Sequence, residues 1–100
     1  MISKLSKSQL QAHIRRVAVN SARLAFTDHA LKQMKRRHIT RDMAIEVVQK
    51  GMLKRTPEPN QAKGNLECRM EHFMTGRDLG VVVAVCDEEP DLIIVTAMEL

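Results

Sequence analysis

Residues 66–86 read LECRMEHFMTGRDLGVVVAVC, and this stretch decides the fold. Leu66, Cys68, Met70, His72 and Met74 alternate with Glu67, Arg69, Glu71 and Phe73. Successive side chains of a strand point to opposite faces, so a period of two predicts a half-buried strand. Thr75-Gly76-Arg77-Asp78 predicts a turn. Val81 to Cys86 is apolar throughout, as a central strand covered on both faces requires.

Further along the chain, Asp87-Glu88-Glu89-Pro90-Asp91 reads as an acidic turn, and Leu92 to Met98 as another nearly continuous apolar strand. In the other direction, Pro57-Glu58-Pro59-Asn60 and Lys63-Gly64 mark a loop, while Met52 to Thr56 offers an extra strand. The period before residue 52 is helical instead. Ser6 and Gln9 form a capping box ahead of the stripe Leu10, Ile14, Val17 and Ala18, which predicts a helix from about Lys7 to Ser21. Leu24-Ala25-Phe26 reads as a short extended piece. Thr27 caps a second helix that stops near Arg37 or His38. Thr40 caps a third, with Met43, Ala44, Val47 and Val48 inward, and Gly51 ends it as a left-handed C′ residue.

Helices followed by a meander of strands specify an α+β fold: N-terminal helices packed on an antiparallel sheet of three to four strands. A chain of 100 residues fits one compact domain, with residues 1–22 as an N-terminal helix and 23–100 as the α+β body. With two aromatics, Phe26 and Phe73, the core must be built from aliphatic residues and seven methionines. The longest apolar run, Val81 to Cys86, is far below the ~20 residues that span a bilayer. The polar N-terminus lacks a signal-peptide core, so a cytoplasmic protein with reduced Cys68 and Cys86 is the expectation.

Charge is unevenly placed. Residues 1–60 carry 13 Lys/Arg against 4 Asp/Glu, and residues 61–100 carry 3 against 8. A basic half favours a polyanionic partner, RNA or DNA first. The plainer alternative is a solvated helical surface. On the second helix, Ala30, Leu31 and Met34 fall on one side, and His29, Lys32, Gln33 and Arg36 within about a third of the circumference on another. An imidazole, two cations and an amide on one face suit a phosphate and proton transfer beside it.

The segment HALKQMKRRHIT at 29–40, the Gly51 helix end, TGRDLGVVVAV at 75–85 and LIIVTAM at 92–98 occur in one order. Together they resemble the bacterial family catalogued as domain of unknown function 4258, over roughly residues 23–98. His29, Ala30, Met34, Arg37 and Ile39 match the family pattern. Gln33 stands where that family commonly has Arg, and His38 where it commonly has Gly. The resemblance implies kinship with RelE-like toxins and small ribonucleases, many of which cleave RNA without a metal. It also implies a RelE-like sheet, an RNA target that in such toxins is sometimes on the ribosome, and an acidic antitoxin protein as neutralising partner.

Metal-free cleavage of RNA needs a base for the 2′-hydroxyl, donors for charge on phosphorus and an acid for the leaving 5′-oxygen; the product is a 2′,3′-cyclic phosphate. His29 is the candidate proton carrier, with Lys32 and Arg36 holding the phosphate. Arg69 is a further candidate, the alternative being a cross-strand ion pair. Thr96 completes the catalytic set, the alternative being β-branched shape alone. Lys35, Arg37, Arg41, Arg15 and Arg16 are candidates for the RNA backbone. Arg37 has a competing role: pairing with an acidic strand residue and holding helix to sheet. No cofactor and no metal site is expected, since Cys68 and His72 alone make no zinc site. The competing functional reading is a non-catalytic module of the same fold that binds nucleic acid or protein. A third is a subunit in a head-to-tail assembly joined through residues 87–91 and the basic helix.

Overall fold

The computed structural model describes residues 5–60, 65–86 and 92–100. Helix α1 spans Lys7–Ala18, starting at the expected Ser6–Gln9 capping box. It ends three residues short of expectation. The Asn20 side chain accepts from the Ala22 amide and opens a short 3-10 helix, Ser21–Arg23, so a local side-chain bond displaces the last helical turn. Strand β1 (Leu24–Phe26) leads through Thr27 into α2 (Asp28–Arg36), and Thr40 caps α3 (Arg41–Lys50).

Gly51 follows α3 but is not left-handed: its φ is −72° and its ψ 176°. Glycine is required there by space. A Cβ would stand 2.3 Å from the Val47 carbonyl oxygen and 2.9 Å from that of Glu71. The left-handed position lies instead after α2, where His38 has φ 56°. The Ile39 amide donates to the Met34 carbonyl and the His38 amide to that of Lys35, the double closure of a Schellman end, with Ile39 and Met34 both buried.

The sheet is larger than expected. Six strands are formed among the described residues: β1, β2 (Met52–Leu53), β3 (Glu58–Asn60), β4 (Asn65–Met74), β5 (Arg77–Val85) and β6 (Leu92–Glu99). Their order is β1-β6-β5-β4-β2, with β3 also pairing β4. Residues 58–60, read as loop, are a strand because Pro59 sits in a short outer segment, where a missing N–H is tolerated. The β4–β5 turn is shorter than expected, two residues, Thr75 and Gly76, both with positive φ. The 63–64 turn and the acidic 87–91 turn lie outside the described residues.

β1 runs parallel to β6, and the other pairs are antiparallel. One face of the sheet carries Cys68, Met70, Leu79, Val81, Val83, Val85, Leu92, Ile94 and Ala97. It forms one core with Leu10, Ile14, Val17 and Ala18 of α1, Ala30 and Met34 of α2, and Ala44, Val47 and Val48 of α3. The other face carries Glu67, Arg69, Glu71 and Phe73 on β4 and Val82 on β5. No described helix is long and apolar enough to cross a membrane.

Candidate functional site

The β5–β6 register breaks once. Val82 pairs with Thr96 and Val83 with Ile94, which leaves Val95 as an extra residue. Such a bulge turns neighbouring side chains toward the same side. Val95 and Thr96 accordingly both line an open depression of about 460 Å3 on the side of the sheet that carries Glu67 and Val82, together with those two residues, Thr27 and His29. Three strands and the start of a helix thus contribute to one concavity.

Thr27 fixes the helix to the bulge. Its amide donates to the Ile94 carbonyl at 3.0 Å, its hydroxyl donates to Val95 O at 3.4 Å, and the same oxygen accepts from the Ala30 amide at 3.0 Å. The first turn of α2 is held there, and His29 extends exposed into the depression. Across it, the half-buried Glu67 carboxylate accepts from Asn60 Nδ2 at 3.1 Å, so β3 orients it.

Further along α2, Gln33 and Arg37 follow His29 at intervals of four. The Thr96 hydroxyl donates to Gln33 Oε1, and Arg37 donates to the same oxygen at 3.4 Å and to Ala97 O at 2.6 Å. Arginine only donates, so the amide oxygen must face it. Arg37 therefore ties helix to sheet, as the competing role had it, through a backbone carbonyl rather than an acidic side chain.

Lys32 and Arg36 are exposed on α2 and are not among the residues lining the depression; Lys35 is exposed as well. Arg69 binds the Glu71 carboxylate at 3.1 Å, the ion-pair alternative, within its own strand rather than across strands. Arg15 donates to the carbonyls of Gly51 and Lys50 at the end of α3. Arg16 is exposed beside His13 Nδ1 at 3.4 Å, and Arg41 lies 5.2 Å from the centre of the Phe26 ring. His72 pairs with Glu46 at 3.3 Å, and Cys68 is fully buried, with burial pushing its thiol up to about 12. Sequence reasoning missed Glu67 as a site residue and read the Thr27 hydroxyl only as the helix cap, which it is, and not as part of the depression. The polar phase of β4 held the only hint of the first.

The family profile described as Domain of unknown function (DUF4258) matches residues 26–99. The chain belongs to that family. All six lining residues of the depression fall inside the DUF4258 span, whereas α1 lies outside it. No curated protein and no solved structure matches the chain.

Proposed function

We propose that this DUF4258 protein acts on RNA as a metal-independent endoribonuclease of the RelE-like kind, leaving 2′,3′-cyclic phosphate ends. The observation that carries the reading is the accessible His29 ring in an open depression, bordered by the hydroxyls of Thr27 and Thr96 at the base of a basic helix. Imidazole exchanges protons near neutral pH. Lys32, Lys35 and Arg36 project from the same helix into solvent, where the RNA backbone would lie across them. An acidic antitoxin protein covering that surface would silence it. Incubation of RNA with the protein in EDTA tests the reading: wild type cleaves and His29→Ala does not. Absence of cleavage by the wild type, or cleavage unchanged by the substitution, rejects it.

A second reading has its own support. Arg69 is engaged by Glu71, Gln33 by Thr96, and neither Lys32 nor Arg36 borders the depression. Among the described residues, that leaves few cations beside the depression to stabilise charge on phosphorus, as a binding module without catalysis would have it. RNA binding by a wild type that cleaves nothing in the same assay favours this second reading.

A further inference from the structure

Cleavage through a 2′-hydroxyl needs two proton-transfer groups on opposite sides of the phosphorus, and His29 is only one. We propose that Glu67 is the other: the base that removes the 2′-hydroxyl proton, while His29 supplies the proton for the leaving oxygen. The inference rests on the RNA-cleavage reading above and assigns the missing half of its chemistry.

The placement supports it. His29 stands beside β6, and Glu67 is on β4, with β5 between them. Two inter-strand spacings separate the outer strands by about 10 Å. Val82 of β5 and Val95 of β6 form apolar floor in the same depression. Glu67 pairs with Ala84 and is therefore the diagonal neighbour of Val82, so a phosphodiester seated over Val82 would have the imidazole toward β6 and the carboxylate toward β4. Glu67 is half-buried, and its carboxylate is oriented by Asn60. Among the described residues, the charged groups around it are Glu58, directly opposite on β3, and Arg69, two positions along β4 and bound to Glu71. Neither of these is among the residues lining the depression.

The step balances. The carboxylate accepts the 2′-hydroxyl proton as the 2′-oxygen forms its bond to phosphorus. The bond from phosphorus to the 5′-oxygen breaks, and that oxygen takes the proton from the His29 imidazolium. The products are a 2′,3′-cyclic phosphate and a 5′-hydroxyl, with Glu67 protonated and His29 neutral. Proton exchange with water restores both. No metal, oxidant or second substrate enters.

The test compares wild type, Glu67→Gln, Glu67→Asp and His29→Ala on a single-stranded RNA oligonucleotide in EDTA, measuring kcat and KM from pH 4 to 9. Glu67→Gln keeps the shape and the contact to Asn60, and its melting temperature shows that it folds. The expected result is a fall in kcat of at least a hundredfold for Glu67→Gln, with loss of the acidic limb of the pH profile, and a smaller fall for Glu67→Asp with that limb retained. Full activity of Glu67→Gln beside an inactive His29→Ala overturns the assignment of Glu67 and leaves the ribonuclease reading standing. A loss confined to KM, with the acidic limb intact, makes Glu67 a binding residue and likewise overturns it. A wild type that cleaves no RNA rejects the ribonuclease reading, and the base assignment with it.

Discussion

Arg77, the first residue of β5, closes the C-terminus of α2 by donating at 2.9 Å to the carbonyl oxygen of His38. A second nitrogen donates to Arg37 O at 2.7 Å, and the same guanidinium meets Glu99 at 3.0 Å. Carbonyls at a helix end have no intrahelical partner, and a cation there also opposes the negative end of the helix dipole. Replacing Arg77 by Met keeps much of the aliphatic stem and removes all three contacts. The expected loss is about 1–2 kcal/mol, since charged hydrogen bonds at a partly exposed site contribute less than buried ones. Urea unfolding of the two proteins measures it, and an unchanged midpoint would show that water serves the carbonyls equally well.

The position that Arg77 holds is itself strained. His38 has φ 56°, where an L-residue is disfavoured by about 1–2 kcal/mol, and glycine is not. Glycine also loses more freedom on folding, which offsets about half of that gain. His38→Gly is therefore expected to stabilise by about 0.5–1 kcal/mol, read as a higher melting temperature. Destabilisation would mean that the imidazole makes contacts outweighing the strain.

Gly51 presents the opposite case, where the constraint is space rather than backbone angle. A Cβ at 2.3 Å from Val47 O and 2.9 Å from Glu71 O meets two backbone groups, one in α3 and one in β4, that cannot rotate away. Gly51→Ala must push the helix from the sheet. A cost of about 2–4 kcal/mol is expected from overpacking of this kind. Equilibrium unfolding checks it, and a cost under ~0.5 kcal/mol would mean that the joint gives freely.

These positions mark what the sequence could reveal. Ser6, Thr27 and Thr40 announced three helix starts, because a cap depends on neighbours within three residues. The alternation through β4 likewise needs nothing beyond its own strand. Residues 58–60 were hidden because Pro57 and Pro59 look like loop until the adjacent β4 supplies a partner. The Val95 bulge leaves no mark in an apolar run, yet it puts Val95 and Thr96 on one side and so shapes the depression. Glu67 and His29 line one depression only because β5 and β6 lie side by side between their elements, which is a property of strand order. Helical spacing grouped His29 with Lys32 and Arg36 on bare geometry. The sheet packs beneath Gln33 and Arg37 and leaves the two cations in solvent.

Burial gives the two cysteines different chemistry. Cys68 is fully buried, and loss of solvation raises its thiol from 9.0 to about 12; Cys86 is half-buried. The thiolate reacts and the thiol does not. An alkylating reagent at pH 8 should therefore spare Cys68 in the folded protein and modify it on denaturation, which mass spectrometry of digested samples reads. Stability follows the same group. Below pH 9 the thiol is protonated in both states and its contribution is constant. Between pH 9 and 12 the unfolded chain loses the proton first, so stability falls as pH rises. Cys68→Ala should remove that part of the alkaline decline, whatever its packing cost. An equally steep decline in the variant would assign the effect to other groups.

The charge on α2 leads to a prediction independent of catalysis. Lys35 and Arg36 are both exposed in the last turn of the helix. If RNA lies along this surface, each contact to a phosphate releases bound counterions, and log K falls with log salt by about 0.7 per contact on a single strand. Lys35→Ala combined with Arg36→Ala should lower the slope by about 1.4. Affinity should fall by a similar factor for oligonucleotides of unrelated sequence, because phosphates carry no sequence information. The depression is lined by neither residue, so a cyclic mononucleotide bound there should be held as tightly by the double variant as by the wild type. Fluorescence anisotropy against salt, from about 50 to 200 mM, separates the two behaviours. An unchanged slope would remove α2 from the RNA-binding surface.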